Sequence, residues 1–76
     1  MTRNEIFGMI SEERQRQIDK WGDNSSPDDP WIAILGEEFG EVCQAFLDVR
    51  HGLPTDNLKE ELIQVAAVAV KWLEIL

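Results

Sequence analysis

Cysteine is nearly absent from this chain. Cys43 stands alone among 76 residues, so no intrachain disulfide can stiffen the fold, and Cys43 could pair only with another chain. A lone thiol suits a reducing compartment, and the opening Met-Thr-Arg-Asn-Glu is no secretory signal, so the cytoplasm is expected. Long apolar runs are missing too. The longest nearly uncharged one, Leu62 to Val70, is about nine residues, against roughly twenty for a bilayer crossing, and no membrane segment is predicted. Positive charge is scarce: seven basic residues face fifteen acidic ones, for a net charge of −8. That sign argues against gripping nucleic acid through its phosphates. Taking four glutamates away would change −8 only to −4, so acidity alone marks no site and placement must do so.

A chain this short forms one domain, residues 1–76, and buries only a modest share of its surface, so metal binding or self-association is expected to add stability. Thr2 with Glu5 forms a capping-box pattern, and Ile6, Ile10, Gln17, Ile18 and Trp21 follow at helical spacing until Gly22. A first helix is predicted from about Arg3 to Trp21. Residues 22–30, Gly-Asp-Asn-Ser-Ser-Pro-Asp-Asp-Pro, read as a loop. Asp29 is the predicted N-cap of a second helix with Pro30 in its first position. Trp31, Ile34, Leu35, Val42, Ala45 and Phe46 make its apolar face, and Gly52 with Pro54 ends it near His51. A turn over about 52–56 leads to Asn57 and Glu60, a second capping-box pattern opening a third helix that is apolar nearly all round through Leu76.

The fold class expected is therefore all-α: a three-helix antiparallel protomer that completes a helical bundle by homodimerisation. One neighbouring helix cannot cover the third helix, and Ala66, Ala67 and Ala69 permit a close approach by a second subunit. The sequence ends on Ile75-Leu76 without a polar tail, a pattern expected of a shortened chain whose next helix would cover the third.

Glu38 and Glu41 stand three apart on the second helix, on one side and about 4.5 Å apart along the axis. Both fall on the apolar stripe, and glutamate is seldom buried unpartnered. Across the about 8–10 Å between packed helices, Glu61 faces them from the third, with Gln64 one turn further on, so their oxygens could surround one cation at ~2.1 Å. All-oxygen donors favour Mg²⁺, with Mn²⁺ as a substitute. Most glutamate clusters on helices are solvated faces. Here, however, like charges sit one turn apart with no lysine or arginine four residues on, a repulsion that a cation would remove. Di-iron carboxylate bundles need Glu-x-x-His, which His51 at a helix end does not supply. Cys43 lies on the acidic helix, where a reactive thiolate is disfavoured.

Glu37-Glu38-Phe39-Gly40-Glu41 followed by Glu61-Leu62-Ile63-Gln64 resembles the MazG-like family of all-α nucleoside triphosphate pyrophosphohydrolases, whose signature is Glu-Glu-x-x-Glu and then Glu-x-x-Asp. The likeness extends to Glu13-Arg14-Gln15-Arg16-Gln17, Lys20-Trp21-Gly22, Trp31 to Leu35, and Asn57 to Glu74. Gln64 departs from the pattern, standing where the signature has aspartate. The resemblance implies Mg²⁺-dependent cleavage of a nucleoside triphosphate to the monophosphate and pyrophosphate, by a homodimer or dimer of dimers. In that setting Glu38, Glu41, Glu61 and Gln64 are the metal-site candidates, Glu37 would orient the attacking water, Lys20, Lys59 and Lys71 are the basic residues that could meet phosphate, with Lys20 the candidate beside Trp21, and Trp21 would stack on the base. The ordinary alternatives are that Lys20, Lys59 and Lys71 are surface charges and that Trp21, Trp31 and Trp72 are core. The rival function is a non-catalytic helical dimerisation or partner-binding module on the same fold.

Overall fold

The computed structural model describes residues 1–53 and 57–76, and the expected turn therefore lies partly outside the described residues. Three helices follow one another, α1 (Arg3–Trp21), α2 (Trp31–Arg50) and α3 (Asn57–Ile75), with no strand among the described residues. Thr2 caps α1 as the sequence predicts. Its hydroxyl accepts from the Glu5 amide at 3.2 Å while Glu5 Oε1 accepts from the Thr2 amide at 3.3 Å, so two otherwise orphaned donors are satisfied reciprocally. Gly22 stops the helix at φ 81°, a conformation costly for residues with a Cβ. At the end of α2, Gly52 at φ 72° lets its own amide reach the Val49 carbonyl and the Leu53 amide reach that of Asp48. Both bonds belong to a Schellman motif.

The start of α2 differs from expectation. Pro30 occupies the cap position, with no side-chain cap, and the helix begins at Trp31. The Asp29 carboxylate is engaged one step earlier, accepting from the Ser26 amide at 2.9 Å, while the Ser26 hydroxyl accepts from Asp28 at 3.2 Å. Asp29 thus closes the turn that delivers the chain to α2. The Trp31 indole donates to the Ser26 carbonyl at 3.0 Å, fastening the loop to the helix it precedes. Position 56, where a cap for α3 would stand, lies outside the described residues.

α3 is the central element and packs against both other helices. α2 and α3 run antiparallel. Trp31 stacks on Trp72 with ring centroids 6.3 Å apart at one end, and Asp48 and Asn57 line one hollow at the other. α1 lies across α3 and does not continue the antiparallel arrangement. Arg14 pairs with Glu74 near one end of α3, whereas Arg16, only two residues on, shares a hollow with Glu60 near the other.

The resulting core is thin: Trp31, Val42, Ala45, Ala67 and Val68 are its buried apolar members. The chain exposes 5606 Å², whereas a compact monomer of its 8.7 kDa would expose about 4,700 Å². Large apolar side chains are among the exposed residues. Phe39, Phe46, Leu47, Leu58 and Leu62 border an oily hollow of about 500 Å³ between α2 and α3, and Leu73 on α3 is 68% exposed. No helix among the described residues is long and apolar enough to cross a membrane.

Candidate metal centre

The α2–α3 contact carries both the core and the acidic cluster. Val42 and Ala45 face α3 and are buried, and the same helical stripe, continued one turn back, delivers Glu38 into the contact. Glu41 follows three residues later on the exposed shoulder, and Glu61, half-buried on α3, meets them from across the gap. One carboxylate oxygen from each of Glu38, Glu41 and Glu61 lies within 4.8 Å of the others. Glu38 Oε2 and Glu61 Oε2 are both buried, and neither has a hydrogen-bond partner among the described residues.

Those two oxygens are the telling feature. A buried carboxylate oxygen without a donor carries its full desolvation cost, and here two of them face a third carboxylate. Burial, first, and then the Glu41, Glu13 and Glu37 carboxylates push the Glu38 carboxyl above its ordinary range. Burial also pushes Glu61 up, followed by Glu41, close enough to share its proton, and then by the charges of Glu38 and Glu60. The cluster is thus short of positive charge, and each member is an oxygen donor. Its residues fit a hard divalent cation of the Mg²⁺ type, and Glu38, Glu41 and Glu61 would be the ones to hold it. Acidic clusters on helix surfaces are common without an ion; the two buried, donorless oxygens separate this one from a solvated face.

The other predicted residues are distributed around this centre. Gln64 is half-buried and lines a hollow between α1 and α3 with Glu13, Arg16 and Glu60. Glu37 is exposed at the rim, near enough for its charge to be felt by Glu38. Lys20 lies 4.9 Å over the Trp21 ring, and both are exposed, Trp21 to 65%. The expectation that Trp21 is core therefore fails, because α1 lies across α3 and its last turn projects past the packed region. Trp31 is buried and Trp72 half-buried, as expected of core residues. Cys43 is exposed and unpaired.

Sequence reasoning named Glu13 in the resemblance but gave it no role at the site. It sits on α1, far from the carboxylate motif, yet its field reaches Glu38 ahead of that of the adjacent Glu37. The i,i+3 pair Glu13/Arg16 was a visible signal. Arg14, named there too without a role, is 5% exposed and donates to both Glu74 carboxylate oxygens, at 3.1 and 2.6 Å, and to Gln17 at 3.1 Å.

Comparison with models of known families, with curated proteins and with solved structures finds no match to this chain.

Proposed function

We propose that the chain is a Mg²⁺-dependent nucleoside triphosphate pyrophosphohydrolase of the MazG-like type, working as a homodimer or dimer of dimers. The single observation that carries this reading is the convergence of Glu38, Glu41 and Glu61 with two buried oxygens lacking any donor. It coincides residue by residue with the Glu-Glu-x-x-Glu and Glu-x-x signature positions. A bound divalent cation, Mg²⁺ or Mn²⁺, would supply charge neutralisation and polarise a phosphoryl oxygen, without which an anionic triphosphate would be repelled from these carboxylates.

The chain's own part in the chemistry is positioning and proton handling. Glu37, exposed beside the cluster, orients a water toward the α-phosphorus and takes its proton. The water oxygen bonds to that phosphorus, the bond to the α–β bridging oxygen breaks, and pyrophosphate leaves with the electron pair. Gln64 offers an amide one turn from Glu61, able to hold a water but adding no charge. Lys20 and Trp21, on the last turn of α1, are exposed and available to phosphate and base. The apolar surface on α2 and α3 supports self-association. The area exposed beyond that of a compact monomer, roughly 900 Å², is about what one partner contributes to a standard interface.

Incubating the protein with a panel of nucleoside triphosphates and Mg²⁺ tests the reading. Pyrophosphate and monophosphate released in equal amounts are expected, and release from none of them sinks the enzymatic claim. Gln64 favours a second reading, a non-catalytic dimerisation or partner-binding module. It predicts no turnover together with a preserved dimer.

A further inference from the structure

We propose that a second copy of this chain seats on the outer face of α2, the two α2 helices crossing antiparallel over the bare backbone of Gly36 and Gly40, with Cys43 beside the two-fold axis. This rests on the self-association in the reading above and adds to it the surface where the copies meet. α2 is apolar on two sides. Val42 and Ala45 are buried on the side that meets α3. Gly36, Phe39, Gly40, Cys43, Phe46 and Leu47 recur at helical spacing and form a second stripe, roughly a third of a turn round the helix. All six are exposed, Phe39 to 59% and Phe46 to 50%. No charged residue interrupts the stripe until Arg50, whose guanidinium lies 6.0 Å from the centre of the Phe46 ring. Leu58 and Leu62 of α3 extend it across the oily hollow.

The two glycines carry the argument. Both lie inside α2, where glycine is the poorest helix former after proline, and neither has the positive φ of a turn glycine. A Cβ at either position would meet nothing within 4 Å. Packing among the described residues therefore gives no reason for glycine at either place. Gly8 on α1 is equally open, but its neighbours one turn away, Asn4, Glu5, Ser11 and Glu12, are polar and exposed. Gly36 and Gly40 are instead set among large apolar side chains, one turn apart on one face. Such a notch admits a second helix closer than the usual about 8–10 Å. A two-fold contact presents the same patch from both copies, so Phe46 and Leu47 of each copy lie over the partner's glycine notch. The close approach expected at the alanines of α3 is already used within the chain, where Ala67 is 0% exposed. The surface in excess of a compact monomer, roughly 900 Å², matches the about 800 Å² that one partner gives to a standard interface.

Light scattering on the full chain, with circular dichroism on the same samples, tests the contact. Gly40→Leu is expected to halve the mass of the unaltered protein and keep its helical signal, because leucine is the better helix former and enters open space in the protomer. Gly8→Leu, the same change away from the stripe, should leave the mass as it was. If Gly40→Leu loses its helices, Gly40→Ala, which adds one methyl group, takes its place. Cys43 is exposed in the protomer and supplies a second readout. Diluting the unaltered protein until its mass halves, with the helical signal retained, should speed the reaction of Cys43 with Ellman's reagent several-fold. A glycine variant of undiminished mass, or a thiol rate that dilution does not change, overturns the proposal and leaves self-association to another face. An unaltered protein that is monomeric at every concentration overturns both this contact and the dimer, while pyrophosphate release still decides the enzymatic reading.

Discussion

At the scale of single residues, this chain holds two kinds of carboxylate. Glu13 and Glu74 are held below the ordinary range, chiefly by hydrogen bonds from Arg16 and Arg14. Glu38 and Glu61 are pushed above it, chiefly by burial. The lowered pair contributes stability that is present above the usual carboxylate pKa and is lost as pH falls through the lowered values. The raised pair contributes stability that is present below the usual value and is lost as pH rises through the raised ones. In a chelator, the Tm is therefore expected to peak in weak acid and fall toward neutral pH. Millimolar Mg²⁺ should abolish that fall, and a thermal melt series with and without the cation checks it. Glu38→Gln sharpens the same point. Without cation at pH 7 it should raise the Tm, because it removes a buried, repelled charge; it should also erase the Mg²⁺ response. For the unaltered chain that response, at a cation concentration ten times Kd, is about 1.4 kcal/mol, which at roughly 4–8 °C per kcal/mol for this size is a Tm rise of about 6–11 °C. A Glu38→Gln variant that still gains stability from Mg²⁺ would count against the metal centre.

At the scale of helices, the ends were legible and the crossing was not. Thr2/Glu5, Gly22 and Gly52 carry local signals of cap and stop, and the helices begin and end where these residues dictate. Asp29 shows the limit of such signals: a good cap residue was diverted to Ser26 by the turn that precedes it. The placement of α1 depends on a partner sixty residues away. Arg14 is buried and its two bonds to Glu74 are the ion pair that ties α1 to the last turn of α3. Glu74→Ala strands that guanidinium and is expected to cost about 1–3 kcal/mol. Glu74→Gln, which keeps one acceptor, should cost less. Chemical denaturation at neutral pH measures both, and an unchanged midpoint for Glu74→Ala would show that α1 is held by apolar packing alone.

At the scale of the whole molecule, the thin core and the oily α2–α3 hollow call for a partner, and a second copy of the chain is the proposed one. Phe39 and Leu62 border that hollow and are 59% and 52% exposed. Replacing either with lysine should leave the helical content intact while halving the mass seen by light scattering. It should also remove the concentration dependence of the Tm expected of an obligate dimer. A chain that is monomeric before any substitution would refute self-association and make the thin core a property of the isolated protomer.

Local physics determined what could be read from the sequence alone. Helical period, capping boxes and glycine stops act within a few residues, and an i,i+3 glutamate pair on an apolar stripe already implies a compensating charge. That is why the three helices, and Glu38, Glu41 and Glu61 as one group, were expected before any coordinates. Gln64 was expected among them by register, but register along a helix does not say which neighbour shares its hollow. Tertiary structure alone decided that Gln64 lines a hollow with α1, that Glu13 on α1 comes near enough for Glu38 to feel its charge, and that Trp21 lies in the open. Each of these depends on the angle at which α1 crosses α3, and that angle is set by packing and by the Arg14–Glu74 pair, a contact between residues far apart in the chain.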